Sequence, residues 1–268
     1  MSWARAGVGA VATQSIAEPA YGERLLERLA AGESPHVALD ALLAEDPQAA
    51  YRQVAVVDRD GAVAVHTGER CIAFAGDELG DGFTVQANIM ASPEVWPAMA
   101  NAFKASTGPL ARRMAAALHA AEARGGDVRG RQSCALLVVP GEGQSHERVV
   151  DLRVDDSPEP LRELDRLLDL RDAYDLASQG DDLTGEGRHE EAADRYERAS
   201  ALAPDNHELL FWSGVGAAGA GDMPTALQRV RRAIEMQPGW DALIRRVQPD
   251  VAPDAAKLIT ALDGEGSD

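Results

Sequence analysis

Residues 180–204, GDDLTGEGRHEEAADRYERASALAP, are answered 34 residues later by residues 214–238, GVGAAGAGDMPTALQRVRRAIEMQP. Across that spacing Gly180 matches Gly214, Gly187 matches Gly221, Ala192 matches Ala226, Ala199 matches Ala233 and Pro204 matches Pro238. Each residue type has a physical task. The alanines and the first glycine leave room where two helices cross closely. The second glycine ends a helix, because it takes a left-handed backbone at least cost. The proline closes the following helix, where its missing N–H does no harm. Larger apolar residues stand between them: Leu176, Leu183 and Tyr196 in one unit, Leu210 and Val230 in the next. Such a period marks a stacked helical array. It predicts helices over residues 172–184, 190–203, 207–220 and 223–236, the start of a third unit at 240–247 and a capping helix at 255–262.

The spacing resembles that of the tetratricopeptide repeat, which implies a protein-interaction module over residues 172–268 with a peptide or protein partner. Two units are fewer than the roughly three such an array needs. A helix at residues 159–170, inside a connecting segment 157–171, is therefore expected to support the first unit. Arg229, Arg231, Arg232, Arg245 and Arg246 form a basic cluster. It suits an acidic peptide or chain terminus, or else it is solvated helix surface paired with nearby carboxylates.

The chain of 268 residues has room for two domains, and its net charge of −18 excludes whole functional classes. Nucleic acid and anionic membranes both require a basic surface that this chain lacks. No apolar run approaches the ~20 residues of a membrane-spanning helix. The small apolar run near the start contains only Gly, Ala and Val, which suits a strand better than a signal peptide; a cytoplasmic location is expected. Cys71 and Cys134 are the only cysteines and have no metal-type spacing, so buried reduced thiols are expected. His189-Glu190-Glu191 lacks the second histidine of a zinc-hydrolase motif. No metal or cofactor is expected.

Ahead of the repeats the pattern changes. Residues 7–16, 52–58, 62–67, 83–90, 132–139 and 148–154 read as strands, with Arg59-Asp60-Gly61 as a hairpin turn between the second and third. Residues 21–31, 34–45, 94–107 and 109–124 read as helices, the second with Ser34 as N-cap and Pro35 in the first turn. Neighbouring strands with helices grouped in pairs predict an α+β sandwich over residues 1–156.

Several stretches carry a resemblance: residues 3–14 (WARAGVGAVATQ), 51–54 (YRQV), Thr67-Gly68 followed by Cys71, 86–89 (QANI), 125–133 (GGDVRGRQS) and 151–156 (DLRVDD). Together, over residues 2–170, they resemble the domain-of-unknown-function 1028 family. The resemblance implies an N-terminal-nucleophile hydrolase fold, a four-layer αββα sandwich. In such enzymes the first residue of the mature chain attacks an amide carbonyl, and its own α-amine, with a pKa of about 8, serves as base. The family pattern has a Thr after the initiator Met and a first strand ahead of the Trp-Ala-Arg segment. Here that segment begins at Ser2, so the fold is expected to lack its first strand and the expected nucleophile. Residues 7–16 would then lie at or near an exposed edge with a pairing partner absent, and the natural start is expected roughly 20–30 residues upstream of Met1.

The resemblance implies a small amide substrate. Ser2, exposed by removal of Met1, is a candidate nucleophile. Gln14 and Asn88, polar residues in or ending apolar strands, are candidates for an oxyanion donor or for mutual hydrogen bonding across the sheet. In the glycine-rich block, Asp127, Arg129, Gln132 and Ser133 are candidate substrate contacts, with Arg129 holding an anionic group. The same block reads equally as a tight turn in which Asp127 caps the backbone and pairs with Arg129.

Overall fold

A computed structural model describes residues 1–249, 251–252 and 254–264. The chain divides into two units, Met1–Asp165 and Arg166–Asp268. In the first, four strands form an antiparallel sheet in sequence order: β1 (Ser2–Arg5), β2 (Gly9–Ser15), β3 (Arg52–Asp58) and β4 (Val63–Thr67). The β3–β4 turn is the expected one, with Gly61 at a left-handed φ of 88° and Asp58 Oδ1 accepting from the Asp60 and Ala62 amides. Strand β3 has five successive buried residues, as a central strand covered on both faces should. Its Val54 and Val56, with Val11 and Ala64, lie under Tyr21, Leu25 and Leu29 of α1 (Ala20–Ala30) and Leu39 and Leu42 of α2 (Pro35–Glu45).

The opposite side of β3 and β4 meets a hairpin of β5 (Gly76–Gly80) and β6 (Phe83–Ala87), on which α3 (Val95–Ala105) packs. A second hairpin, β7 (Cys134–Val138) and β8 (Val150–Val154), meets α4 (Leu110–Ala123) and β1 through β7.

Three expectations are corrected. β2 lies near the sheet edge but not without a partner: β1 pairs with it antiparallel, Ser2 opposite Ala12 and Arg5 opposite Gly9. Residues 2–5 were too short a run to read as a strand. β5 was not expected, since Gly, Asp and Glu are poor strand formers; Gly82, at φ 72°, turns the chain back and β6 supplies the pairing. Both thiols are half-buried rather than buried, each directed at a backbone carbonyl, Cys71 at Arg52 and Cys134 at Pro160.

One long helix, α5 (Pro160–Gly185), replaces the two helices expected on either side of residue 171, because no glycine or proline interrupts residues 161–179. The unit boundary falls within it. Four helices follow in the expected order: α6 (His189–Leu202), α7 (His207–Gly219), α8 (Met223–Met236) and the short α9 (Gly239–Ile244), then α10 (Ala255–Gly264). The 34-residue period is geometric. A Cβ on Gly180 would come within 2.7 Å of the Tyr196 ring, and one on Gly214 within 2.8 Å of Val230, which stands 34 residues after Tyr196. Ala192, Ala199, Ala226 and Ala233 are all buried, and Gly187 and Gly221 both have left-handed φ. Among the described residues no helix is long and apolar enough to cross a membrane.

Candidate functional site

The sheet register sets three polar residues side by side on one face: Gln14 of β2 lies opposite Gln53 of β3, which lies opposite Thr67 of β4. The facing hairpin contributes Asp77 and Gln86, with Asn88 just beyond β6. Gln53 is fully buried and Gln86 and Asn88 nearly so. Carboxamides removed from water need partners, and most here have them. Asn88 Nδ2 donates to Gln53 Oε1 at 2.9 Å and to Gln14 Oε1 at 3.3 Å. Gln53 Nε2 faces three acceptors, Thr67 Oγ1, the Gly76 carbonyl and the Ala87 carbonyl, at 3.1, 3.2 and 2.9 Å. Thr67 Oγ1 in turn donates to Asp77 Oδ1. The donors thus run in one direction, from Asn88 through Gln53 and Thr67 to a carboxylate.

Three atoms stay out of this scheme. Gln86 Nε2 donates to the Ala12 carbonyl at 3.4 Å, but its Oε1 is buried without a partner, as is Thr13 Oγ1. The Gln14 carboxamide nitrogen bonds no protein group among the described residues.

The backbone is strained at the same place. Ser15, directly after Gln14, has φ 63°, and Ile89, directly after Asn88, has φ 60°. A β-branched residue in the left-handed region costs about 1–3 kcal/mol and persists only where its surroundings enforce it. Ile89 is held on both sides, its amide donating to the Ile72 carbonyl at 3.0 Å and its carbonyl accepting from Val128 at 3.1 Å. Beside Ser15, Arg52 is buried and anchors the strand end: it donates to Asp46 Oδ2 at 2.7 Å, to the Ile16 carbonyl and to Gln48. Hydrogen bonds from Arg52 hold the Asp46 carboxyl below the usual carboxylate range.

Of the residues singled out from sequence, Gln14 and Asn88 are brought into contact. Ser2 is exposed at the start of β1 and lines a different cavity, of about 360 Å³, with Arg5, Glu23, Arg148 and Asp151. The glycine-rich block divides. Its first half lies beside Asn88 through Met90–Asp127 bridging and the Ala91 amide on the Gly126 carbonyl. Asp127 there takes the turn role: it accepts from the Arg129 amide at 2.8 Å and from its guanidinium at 2.6 Å, which lowers the Asp127 pKa. Gln132 and Ser133 are exposed just ahead of β7, the Gln132 carbonyl accepting from Ser157. Sequence reading passed over Gln53, Thr67 and Asp77. Gln53 carried a usable signal, a lone carboxamide opening the run Val54–Val57; Asp77 sat in a strand that composition hides.

Among the described residues no three His, Cys, Asp or Glu side chains converge as metal ligands would.

No curated protein matches the chain. The crystal structure of protein SPO2555 from Silicibacter pomeroyi, itself matched to DUF1028, is similar with a TM-score of 0.54 and 31% identity, over 60% of this chain and 71% of that one. The family described as "Family of unknown function (DUF1028)" matches residues 1–164. The chain therefore belongs to the DUF1028 family.

Proposed function

We propose that residues 1–156 form an amide-binding, hydrolase-like domain of the N-terminal-nucleophile type, its two facing β layers and outer helices making an αββα sandwich, and that residues 172–268 form a tetratricopeptide-type interaction module. The observation that carries the first part is the buried, unpartnered Gln86 Oε1, together with the Gln14 carboxamide nitrogen, which bonds no protein group among the described residues. A secondary amide offers the complement, an N–H for the oxygen and a carbonyl for the nitrogen, and a buried acceptor without a partner carries a standing penalty of about 1–3 kcal/mol that such a ligand would relieve.

The test uses the whole chain and a panel of small amides and N-acyl amino acids, with calorimetry for binding and chromatography for hydrolysis. Gln86→Leu removes the spare oxygen, and with it the long Nε2 bond to the Ala12 carbonyl, by putting an apolar side chain in place of the carboxamide. Binding in the parent, abolished in Gln86→Leu with the melting temperature kept or raised, supports the reading.

A second reading, a non-catalytic scaffold, is favoured by one feature: both N–H groups of Asn88 are already used by Gln14 and Gln53. Its signature is a panel in which nothing binds, with Asn88→Ala losing stability alone.

A further inference from the structure

Within the second unit, α5, α6 and α7, with residues 251, 252 and 254, line a groove of about 550 Å³. Its walls carry Tyr174, Tyr196 and Trp212 and its charges Asp181, Glu208 and Asp254, and among the described residues no Arg or Lys lines it. Asp254 is already occupied by Lys257 at 2.6 Å. The other two carboxylates are held by phenols: Tyr196 donates to Asp181 Oδ1 at 2.8 Å and Tyr174 to Glu208 Oε2 at 2.6 Å. No cation reaches Asp181 or Glu208 among the described residues, and one oxygen of each is left unbonded. Three of the five arginines that looked like a docking surface are engaged elsewhere, Arg229 with Glu197 and Ser213, Arg232 with Glu235, and Arg245 with Asp241 and Asp263.

We propose that this groove binds a basic peptide segment, its Arg or Lys heads on Asp181 and Glu208 and its stems along Tyr174 and Trp212. This deepens the interaction-module reading and reverses the partner charge that the arginine cluster suggested. Aromatic walls suit cationic side chains. Two carboxylates fixed on separate helices, α5 and α7, suit an extended segment with two cations rather than a single amine.

The test measures fluorescence anisotropy of labelled Ala-Arg-Leu-Ala-Arg-Leu with the full chain at about 0.15 M salt, where contacts beyond about 8 Å are screened. The double variant Asp181→Asn, Glu208→Gln keeps shape and leaves each tyrosine an acceptor. The double variant Asp60→Asn, Glu69→Gln removes the same charge from an exposed surface of the first unit. The groove variant is expected to weaken binding at least tenfold and the surface variant less than twofold. Equal losses in both overturn the groove while leaving the module reading in place. A peptide with Glu for Arg that binds instead, or arginine amide that binds as tightly as the peptide, also overturns it. If neither the basic nor the acidic peptide binds, the groove and the module reading fall together.

Discussion

Arg52 and Asp46 concentrate the cost of charge burial in one pair, with only 7% and 11% of their side chains exposed. Replacing one partner leaves the other charged and desolvated, which costs more than the pair contributes. Asp46→Asn is therefore expected to lose about 3 kcal/mol in urea unfolding, and Arg52→Met with Asp46→Leu to lose less than the single variant. The same pair sets an acid limit. Because Asp46 titrates lower folded than unfolded, its contribution is complete above its unfolded pKa of about 4 and disappears as pH falls through the folded value. A stability profile between pH 6 and 3 should fall at the acid end, and Asp46→Asn should flatten that fall. Gln53 works without charge: a fully buried carboxamide facing three acceptors fixes β3 against its neighbours, since a one-residue slip would turn it to the helix side.

Elements differ in how far composition disclosed them. The helices after residue 165 were legible because glycine and alanine recur where the crossings leave no room for anything larger. β1 and β5 were not, because their stability comes from pairing with β2 and β6 rather than from their own residues. The candidate site was half legible for the same reason. Gln14 and Asn88 stand out within apolar strands, whereas Asp77 becomes meaningful only when the hairpin carries it opposite Thr67. The helix crossings give a sharp test. A methyl on Gly214 would meet Val230 at 2.8 Å and the Ala226 carbonyl at 3.0 Å. Gly214→Ala should cost about 1–3 kcal/mol by overpacking, despite alanine's better helix propensity. Gly239→Ala, with open space around it, should be neutral within about 0.5 kcal/mol. Thermal melts of the two separate crowding from propensity.

At the scale of the whole molecule, a charge of −18 at neutral pH keeps copies apart, and that repulsion vanishes near the isoelectric point of 4.7. Light scattering should rise steeply as pH approaches 4.7, where Asp46 is still ionised, and fall again when pH is returned to 7. The helical unit carries a different kind of constraint in Tyr196. A Cβ on Gly216 would come within 2.5 Å of its ring and one on Gly180 within 2.7 Å, so the ring occupies glycine gaps on both flanking helices, α5 and α7. The residue 34 places before Gly216 is Asp182, not glycine. A gene duplication that copied residues 173–206 in tandem would press an aspartate against the tyrosine of the preceding copy. One that copied residues 207–240 would set Val230 against a fresh Gly216 and close without conflict. This run of helices could therefore be lengthened by copying residues 207–240 and not residues 173–206.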